Sequence, residues 1–95
     1  MTLVEEVYVK GRAEVTAYLV ECPGCRGLHA LNVYNRNKPI WTFNGDKDKP
    51  SFSPSIRATH AGKICHSFIK DGNWQFLSDS THRLSGKTVP MIEVM

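Results

Sequence analysis

The two cysteines of Cys22-Pro23-Gly24-Cys25 constrain the fold of this chain more than any other sequence feature. A C-P-x-C turn points both thiols at one spot and turns backbone N–H groups toward them, which suits a tetrahedral metal ion. Zinc takes four nitrogen or sulfur ligands in structural sites, so this half-site needs two partners from elsewhere in the chain. Cys65 is the only other cysteine, and four histidines compete for the last position: His29, His60, His66 and His82.

Strand geometry ranks the candidates for the fourth ligand. Side chains alternate across a strand, so His66 points away from an ion that Cys65 binds. His29 stands at C-x-x-C-x-x-x-H spacing on the chain that leaves the turn, and we rank it first. His66 ranks second and His82 third, while the polar surroundings of His60 indicate an ordinary loop residue. Water in the fourth position would leave the site open for catalysis.

Two other interpretations of the cysteines remain beside zinc. Three cysteines cannot pair completely as disulfides, which disfavours a secreted disulfide scaffold. A redox dithiol expects C-x-x-C between a strand and a helix, and residues 27–31 do not resemble the start of a helix. The thiols could also be inert. The ligand types and their spacing favour zinc as the cofactor.

Length and charge narrow the class of protein. A length of ninety-five residues predicts one domain. Together with the cysteine motif, this gives a single zinc-binding β domain over residues 1–95. The net charge of +3 comes from scattered basic residues, whereas nucleic-acid readers concentrate them in a stripe, so a nucleic-acid partner is disfavoured. Without a long apolar run or a signal peptide, we expect no membrane contact and a cytoplasmic location.

The chain alternates between β-forming runs and turns, and no segment keeps helical periodicity beyond two turns. We therefore predict a mainly β fold, a small antiparallel sheet domain with the metal turn at the tip of a hairpin. One short helical turn is expected near residues 79–85, with Gly86 as its stop. The predicted strands are residues 14–20, 29–34, 39–43 and 51–58, a hairpin around Asp71-Gly72 within 64–76, and residues 89–94.

Two details of these strands bear on the site. Pro54 cannot donate to a ladder, so the strand over 51–58 is expected at a sheet edge or with a bulge. The aromatic residues are expected to build the thin core rather than a stacking surface; they are Trp41, Phe43, Phe52, Phe68, Trp74 and Phe76.

Serine, histidine and aspartate side chains also converge on the predicted metal hairpin. Ser67 shares a strand face with Cys65, and Ser55 lies on the polar side of its strand. In a catalytic interpretation Ser55 or Ser67 is the nucleophile, and the base is His82 if Asp79 orients it, or His66 otherwise. Equally, the run from Asp79 to Thr81 is typical of a turn that hydrogen-bonds its own backbone.

Several motifs together resemble a family of small phage and prophage zinc-binding proteins of unknown function, often labelled "ammonia monooxygenase". They are Cys22-Pro-Gly-Cys25 with His29, Trp41-Thr-Phe-Asn-Gly45, Pro50-Ser-Phe-Ser-Pro-Ser55, Cys65-His-Ser-Phe68, Asp71-Gly72 and Gln75-Phe-Leu-Ser-Asp-Ser-Thr-His82 with Gly86. The paired cysteines, the tryptophan, the Pro54-Ser55 step and the Cys65 segment are also loosely similar to peptidase-like domains encoded beside bacterial ubiquitin-like conjugation genes. That likeness implies trimming or removal of a ubiquitin-like protein.

Three classes of function follow from these observations. The first is a hydrolase, of the peptidase type, that acts on a protein C-terminus or on an isopeptide or ester linkage in a bacterial or phage-infected cell. Its partner would be a protein substrate, with a ubiquitin-like protein as one option. The second is a non-catalytic zinc-stapled binding module, such as a phage inhibitor of a host protein. A nucleic-acid-binding zinc ribbon is the third and ranks last.

Overall fold

The computed structural model describes residues 2–8, 11, 13–34 and 40–94. In this part of the chain eight β-strands and their turns form the whole structure, and the predicted mainly β fold is confirmed. None of the described segments forms a helix that could cross a membrane. The strands are β1 (Glu5–Tyr8), β2 (Val15–Cys22), β3 (Gly27–Asn32), β4 (Thr42–Phe43), β5 (Phe52–His60), β6 (Lys63–Lys70), β7 (Asn73–Phe76) and β8 (Thr88–Pro90).

The strands form two antiparallel sheets, of which one has the order β1-β2-β3 and the other β4-β5-β6-β7-β8. Each sheet turns its apolar side chains toward a shared core. Val20 and Leu31 come from the first sheet, and Ile69 and Trp74 from the second; all four are at most 2% exposed. Because each sheet covers the other on one side only, the opposite side of the larger sheet is left for polar residues.

Most of the aromatic residues lie where the sequence predicts them. Phe52, Trp74 and Phe76 are buried, and Trp41 and Phe43 pack against the core from its margin. The prediction is wrong for Phe68, whose side chain is 40% exposed. Ser67 and Ile69 point inward, so the residue between them in β6 has to point outward.

Several predicted turns and boundaries can be compared with the structure. The predicted Asp71-Gly72 hairpin is confirmed, with φ of 49° and 80° at these two residues. β5 runs as far as His60, so this histidine ends a strand instead of lying in a loop. Of the strand predicted over 39–43, only Thr42–Phe43 is a strand, and Pro39 lies outside the described residues.

Near residues 79–85 the chain forms consecutive turns rather than the predicted helical turn. The N–H of Ser85 donates to the carbonyl of His82 at 3.1 Å, and that of Lys87 donates to the carbonyl of Leu84 at 2.9 Å. Each bond closes a three-residue step without starting a helical ladder. Gly86 has a positive φ of 76°. A glycine adopts this conformation readily, and it ends the turn.

A bulge interrupts β5 beside β6 and is the feature of the fold that matters most for the site. Phe52 pairs with Ile69 and Ile56 pairs with Ser67, so residues 53–55 face the single residue Phe68. The predicted bulge at Pro54 is therefore confirmed, and the Ser53–Pro54 peptide bond is cis. Bulges bend a strand and redirect its side chains. Ser55 is the last residue of this bulge.

Candidate functional site

Four potential metal ligands meet where the turn between β2 and β3 approaches β6. Cys22, Cys25, His29 and Cys65 each offer one ligand atom, and these atoms all lie within 4.8 Å of one another. The N–H of Cys25 donates to Cys22 Sγ at 3.3 Å, as expected for a turn that bares its amides to a thiolate. These four residues could hold a metal ion.

The hairpin positions three of the four ligands, and the second sheet supplies the last. His29 pairs with Val20 in the β2–β3 ladder, two residues along β2 from Cys22. Cys65 lies on the inward face of β6 and is 2% exposed. The sulfur atoms of Cys22 and Cys65 are 3.8 Å apart. A metal ion here would therefore join the two sheets across the core.

The chemistry of the donors fits a cation. The pKa of the Cys22 thiol is lowered, because the Cys65 thiol donates to its sulfur and the Cys25 N–H does the same. The pKa of Cys65 is raised in turn by its hydrogen bond to Cys22 and by burial. Among the described residues, the buried Nε2 of His29 finds no hydrogen-bond partner. A bound cation would satisfy that nitrogen and favour the thiolates.

The other ranked histidines are not members of this cluster. His66 is on the opposite face of β6 from Cys65, as strand alternation predicts. The ring of His82 packs edge-on against that of Phe76, with the ring centroids 4.5 Å apart. Its Nδ1 accepts a hydrogen bond from the N–H of Leu84. Of the histidines considered, the structure brings only His29 into the four-residue cluster.

A second group of side chains meets on the outer face of the larger sheet. Ser55 Oγ lies 3.2 Å from His66 Nε2. His66 Nδ1 lies 3.0 Å from Asp79 Oδ2 and 3.1 Å from Asp79 Oδ1. A carboxylate only accepts hydrogen bonds, so Nδ1 donates to Asp79 and Nε2 is left to accept from the Ser55 hydroxyl. The three residues thus form a continuous Ser-His-Asp chain of contacts.

Strand register explains how Ser55 reaches His66. Arg57 is the direct cross-strand partner of His66, so Ser55 stands diagonally from it on the same face. Diagonal neighbours in a sheet are about 7–8 Å apart, within reach of a long side chain such as histidine. The bulge immediately before Ile56 bends β5 at this point, which helps to turn the serine toward the imidazole.

The segment after β7 holds Asp79 beside His66. Ser80 Oγ accepts the N–H of His66 and donates to its carbonyl, both at 2.9 Å. Thr81 Oγ1 likewise accepts the N–H of Ile64 at 2.9 Å. These two hydroxyls hydrogen-bond the backbone of β6 where β7 no longer pairs with it. They therefore bond a neighbouring strand rather than only their own turn. Asp79 immediately precedes Ser80, so these hydrogen bonds hold it in place.

The remaining predicted catalytic residues are not part of this group. Ser67 is 0% exposed in the core, and no described residue accepts or donates a hydrogen bond at its Oγ. The ring of His82 packs against Gly24 so closely that a Cβ atom on residue 24 would lie 2.3–2.6 Å from it. The structure therefore brings together Ser55, His66 and Asp79 and leaves Ser67 and His82 apart from them.

The Ser-His-Asp group is accessible from solvent. The side chains of His66 and Asp79 are 23% and 51% exposed, and Ser55 is half-buried. Phe68 is also exposed on this surface, although its sequence pattern predicts a core residue. Its position two residues after His66 was the available signal, because alternation places both on one face.

Comparison with known proteins identifies the family. A family model described as "Bacterial ubiquitination-like system serine protease (BubE)" matches residues 2–77. No curated protein and no solved structure matches the chain. The matched range contains Ser55, His66 and all four members of the cysteine-histidine cluster, and Asp79 follows it by two residues. The likeness to phage and prophage proteins stays a prediction. The chain belongs to the family of serine proteases of bacterial ubiquitination-like systems (BubE).

Proposed function

We propose that this chain is a serine hydrolase of the peptidase type, with Ser55 as nucleophile, His66 as general base and Asp79 as the residue that orients it. The continuous contact from Ser55 Oγ through both nitrogens of His66 to the Asp79 carboxylate carries this proposal. Both distances lie within the hydrogen-bond reach that proton transfer needs. Membership of a serine protease family supports the same assignment.

The chemistry follows from the order of these three groups. Ser55 Oγ attacks the carbonyl carbon of the substrate, and His66 Nε2 takes the hydroxyl proton as the new C–O bond forms. The tetrahedral intermediate collapses with cleavage of the bond to the leaving group, which receives that proton from His66. Water then attacks the acyl-enzyme with His66 as base, and the acid product and free Ser55 are released. Asp79 stabilises the imidazolium that forms in each step.

The negative oxygen of the intermediate needs donors close to Ser55. A bulge takes backbone groups out of the regular ladder, and Pro54 has no N–H to offer. Ser53 pairs with Thr42 of β4, so the N–H of Ser55 is the candidate donor. Removal of one such donor in other serine hydrolases costs about 10²–10³ in rate.

We further propose that the cluster of Cys22, Cys25, His29 and Cys65 binds zinc and that the ion is structural. Two thiolates on a tetrahedral zinc, with Zn–S bonds of about 2.3 Å, stand about 3.8 Å apart. The spacing of Cys22 and Cys65 sulfurs matches this value at 3.8 Å. Four protein ligands leave no position for a reactive water, which favours the serine mechanism over a zinc-bound nucleophile.

The proposed substrate is the C-terminal region of a ubiquitin-like protein, cleaved at a peptide, isopeptide or ester bond. The family description names a ubiquitination-like system, which supports a protein substrate. The position of the Ser-His-Asp group on an open sheet face supports it too, because a folded protein can present an extended terminus there without entering a deep cavity.

Hydrolysis by the wild-type protein and by Ser55→Ala tests the proposal. The substrates are p-nitrophenyl acetate and a ubiquitin-like protein with a C-terminal extension. We expect kcat to fall at least about 10³-fold in Ser55→Ala, as for other nucleophile deletions, while the fold is unchanged. A Ser55→Ala variant that retains the wild-type rate would exclude Ser55 as nucleophile. A wild-type protein that hydrolyses neither substrate would favour the zinc-stapled binding module.

A further inference from the structure

A groove of about 480 Å³ adjoins the bulge of β5. Phe68 and Gln75, which are cross-strand partners, form one side of it, and Ser53 of the bulge lies on the other. Thr42 and Asn44, from β4 and the residue that follows it, extend that side. The groove thus begins within two residues of the proposed nucleophile.

Phe68 is the exposed apolar side chain of this groove, which the buried residues Phe52 and Ile69 also line. It is one of four large hydrophobic side chains exposed among the described residues, with 40% of its surface accessible. It is also the single β6 residue opposite the bulge residues 53–55. An aromatic ring held on a rigid strand beside a nucleophile offers apolar contact without the entropy cost of ordering a loop.

The position of His66 determines which part of a substrate lies over Phe68. In acyl transfer the base returns its proton to the leaving group, so the leaving group has to lie over His66. His66 and Phe68 are two residues apart on one strand face. The acyl part, which becomes esterified to Ser55, therefore extends away from His66 and toward the groove.

We propose that this groove is the subsite for the acyl side of the substrate, and that Phe68 selects an apolar side chain there. The inference rests on the proposed role of Ser55 as nucleophile. Lys70 and Asp71, both exposed, stand at the rim of the groove. The apolar side chain packs on the ring, and the backbone of an extended substrate remains near the polar rim.

A series of p-nitrophenyl esters from acetate to hexanoate tests this subsite. For the wild-type protein we expect kcat/KM to rise with chain length, by about threefold for each methylene that is buried, and at least about tenfold from acetate to hexanoate. In Phe68→Ala the ratio of the hexanoate to the acetate value should fall to within about twofold of one. Phe68→Met, which keeps an apolar side chain, should restore part of the preference.

Leu28→Ala is the matched control, because Leu28 is a large apolar residue that is 49% exposed on β3 of the other sheet. It should keep the wild-type ratio. A wild-type rate that does not depend on chain length, or an unchanged ratio in Phe68→Ala, would overturn the subsite and leave the proposed nucleophile in place. Hydrolysis of every ester that persists in Ser55→Ala would overturn the proposed function itself.

Discussion

The two faces of β6 carry different kinds of site. Cys65 points inward, is 2% exposed and approaches the cysteines of the β2–β3 turn. His66, the next residue, points outward and contacts Ser55 and Asp79. Since side chains alternate along a strand, adjacent residues of one strand contribute to two sites without sharing a ligand.

This arrangement separates stability from chemistry. On the inner face, a metal ion would add a link between two sheets that also meet through an apolar core and a backbone bridge between Glu21 and Ile92. On the outer face, the Ser-His-Asp group lies where a substrate can reach it, and its three side chains contribute little to the core. Loss of the metal should therefore act on folding first, and changes in the Ser-His-Asp group should act on catalysis alone.

Removal of the metal should have the largest effect. Structural zinc contributes on the order of 10 kcal/mol of apparent folding free energy in small domains, so chelation or Cys22→Ala should unfold the protein. We expect hydrolytic activity and far-UV circular dichroism to disappear together during chelation, and both to return when zinc is added. Elemental analysis of the purified protein should give about one zinc per chain.

His60→Ala provides a matched control for the metal experiment, because His60 lines the same cavity as Cys25 and His29 but stands outside the cluster. It should retain zinc and the wild-type melting temperature. Activity that disappears in chelator while the fold persists would contradict the separation and indicate a catalytic ion instead.

Asp79→Asn should have the next largest effect, confined to catalysis. The amide cannot stabilise the imidazolium as a carboxylate does, so we expect kcat to fall by about 10²–10⁴-fold. Asp79 is half exposed, and the free energy of unfolding should change by less than about 0.5 kcal/mol. Steady-state kinetics and urea denaturation of the same preparation measure both quantities.

Ser78→Ala is the matched control for Asp79→Asn, because it alters the exposed side chain one residue earlier in the same turn. It should leave both kcat and the urea midpoint unchanged. Equal loss of activity in Ser78→Ala and Asp79→Asn would indicate that the conformation of the turn, rather than the carboxylate, governs the rate.

The metal cluster could be predicted from sequence because its spacing is local. Cys22, Cys25 and His29 lie within one hairpin, whose turn brings them together whatever the rest of the chain does. Strand alternation then separated Cys65 from His66 correctly. Sequence spacing ranks His29 first but leaves His66 and His82 as alternatives, because it does not report distances between sheets.

The Ser-His-Asp group could be predicted only as a set of residue types. Its members come from three segments, and the contact of Ser55 with His66 follows from the pairing of Arg57 with His66 across β5 and β6. Pro54 predicts a bulge, but it does not predict the strand register that follows the bulge. Asp79 was open to a pairing with His82 because the hydrogen bonds of Ser80 to β6 depend on tertiary contact.

Mapping of a covalent adduct shows whether Ser55 is an activated nucleophile. The wild-type protein is treated with a fluorophosphonate, which modifies a serine only where a base activates it, and the modified peptide is sequenced by mass spectrometry. We expect one adduct per chain at Ser55 and its loss in His66→Ala. An adduct at Ser67, or labelling of Ser55 that survives His66→Ala, would contradict it.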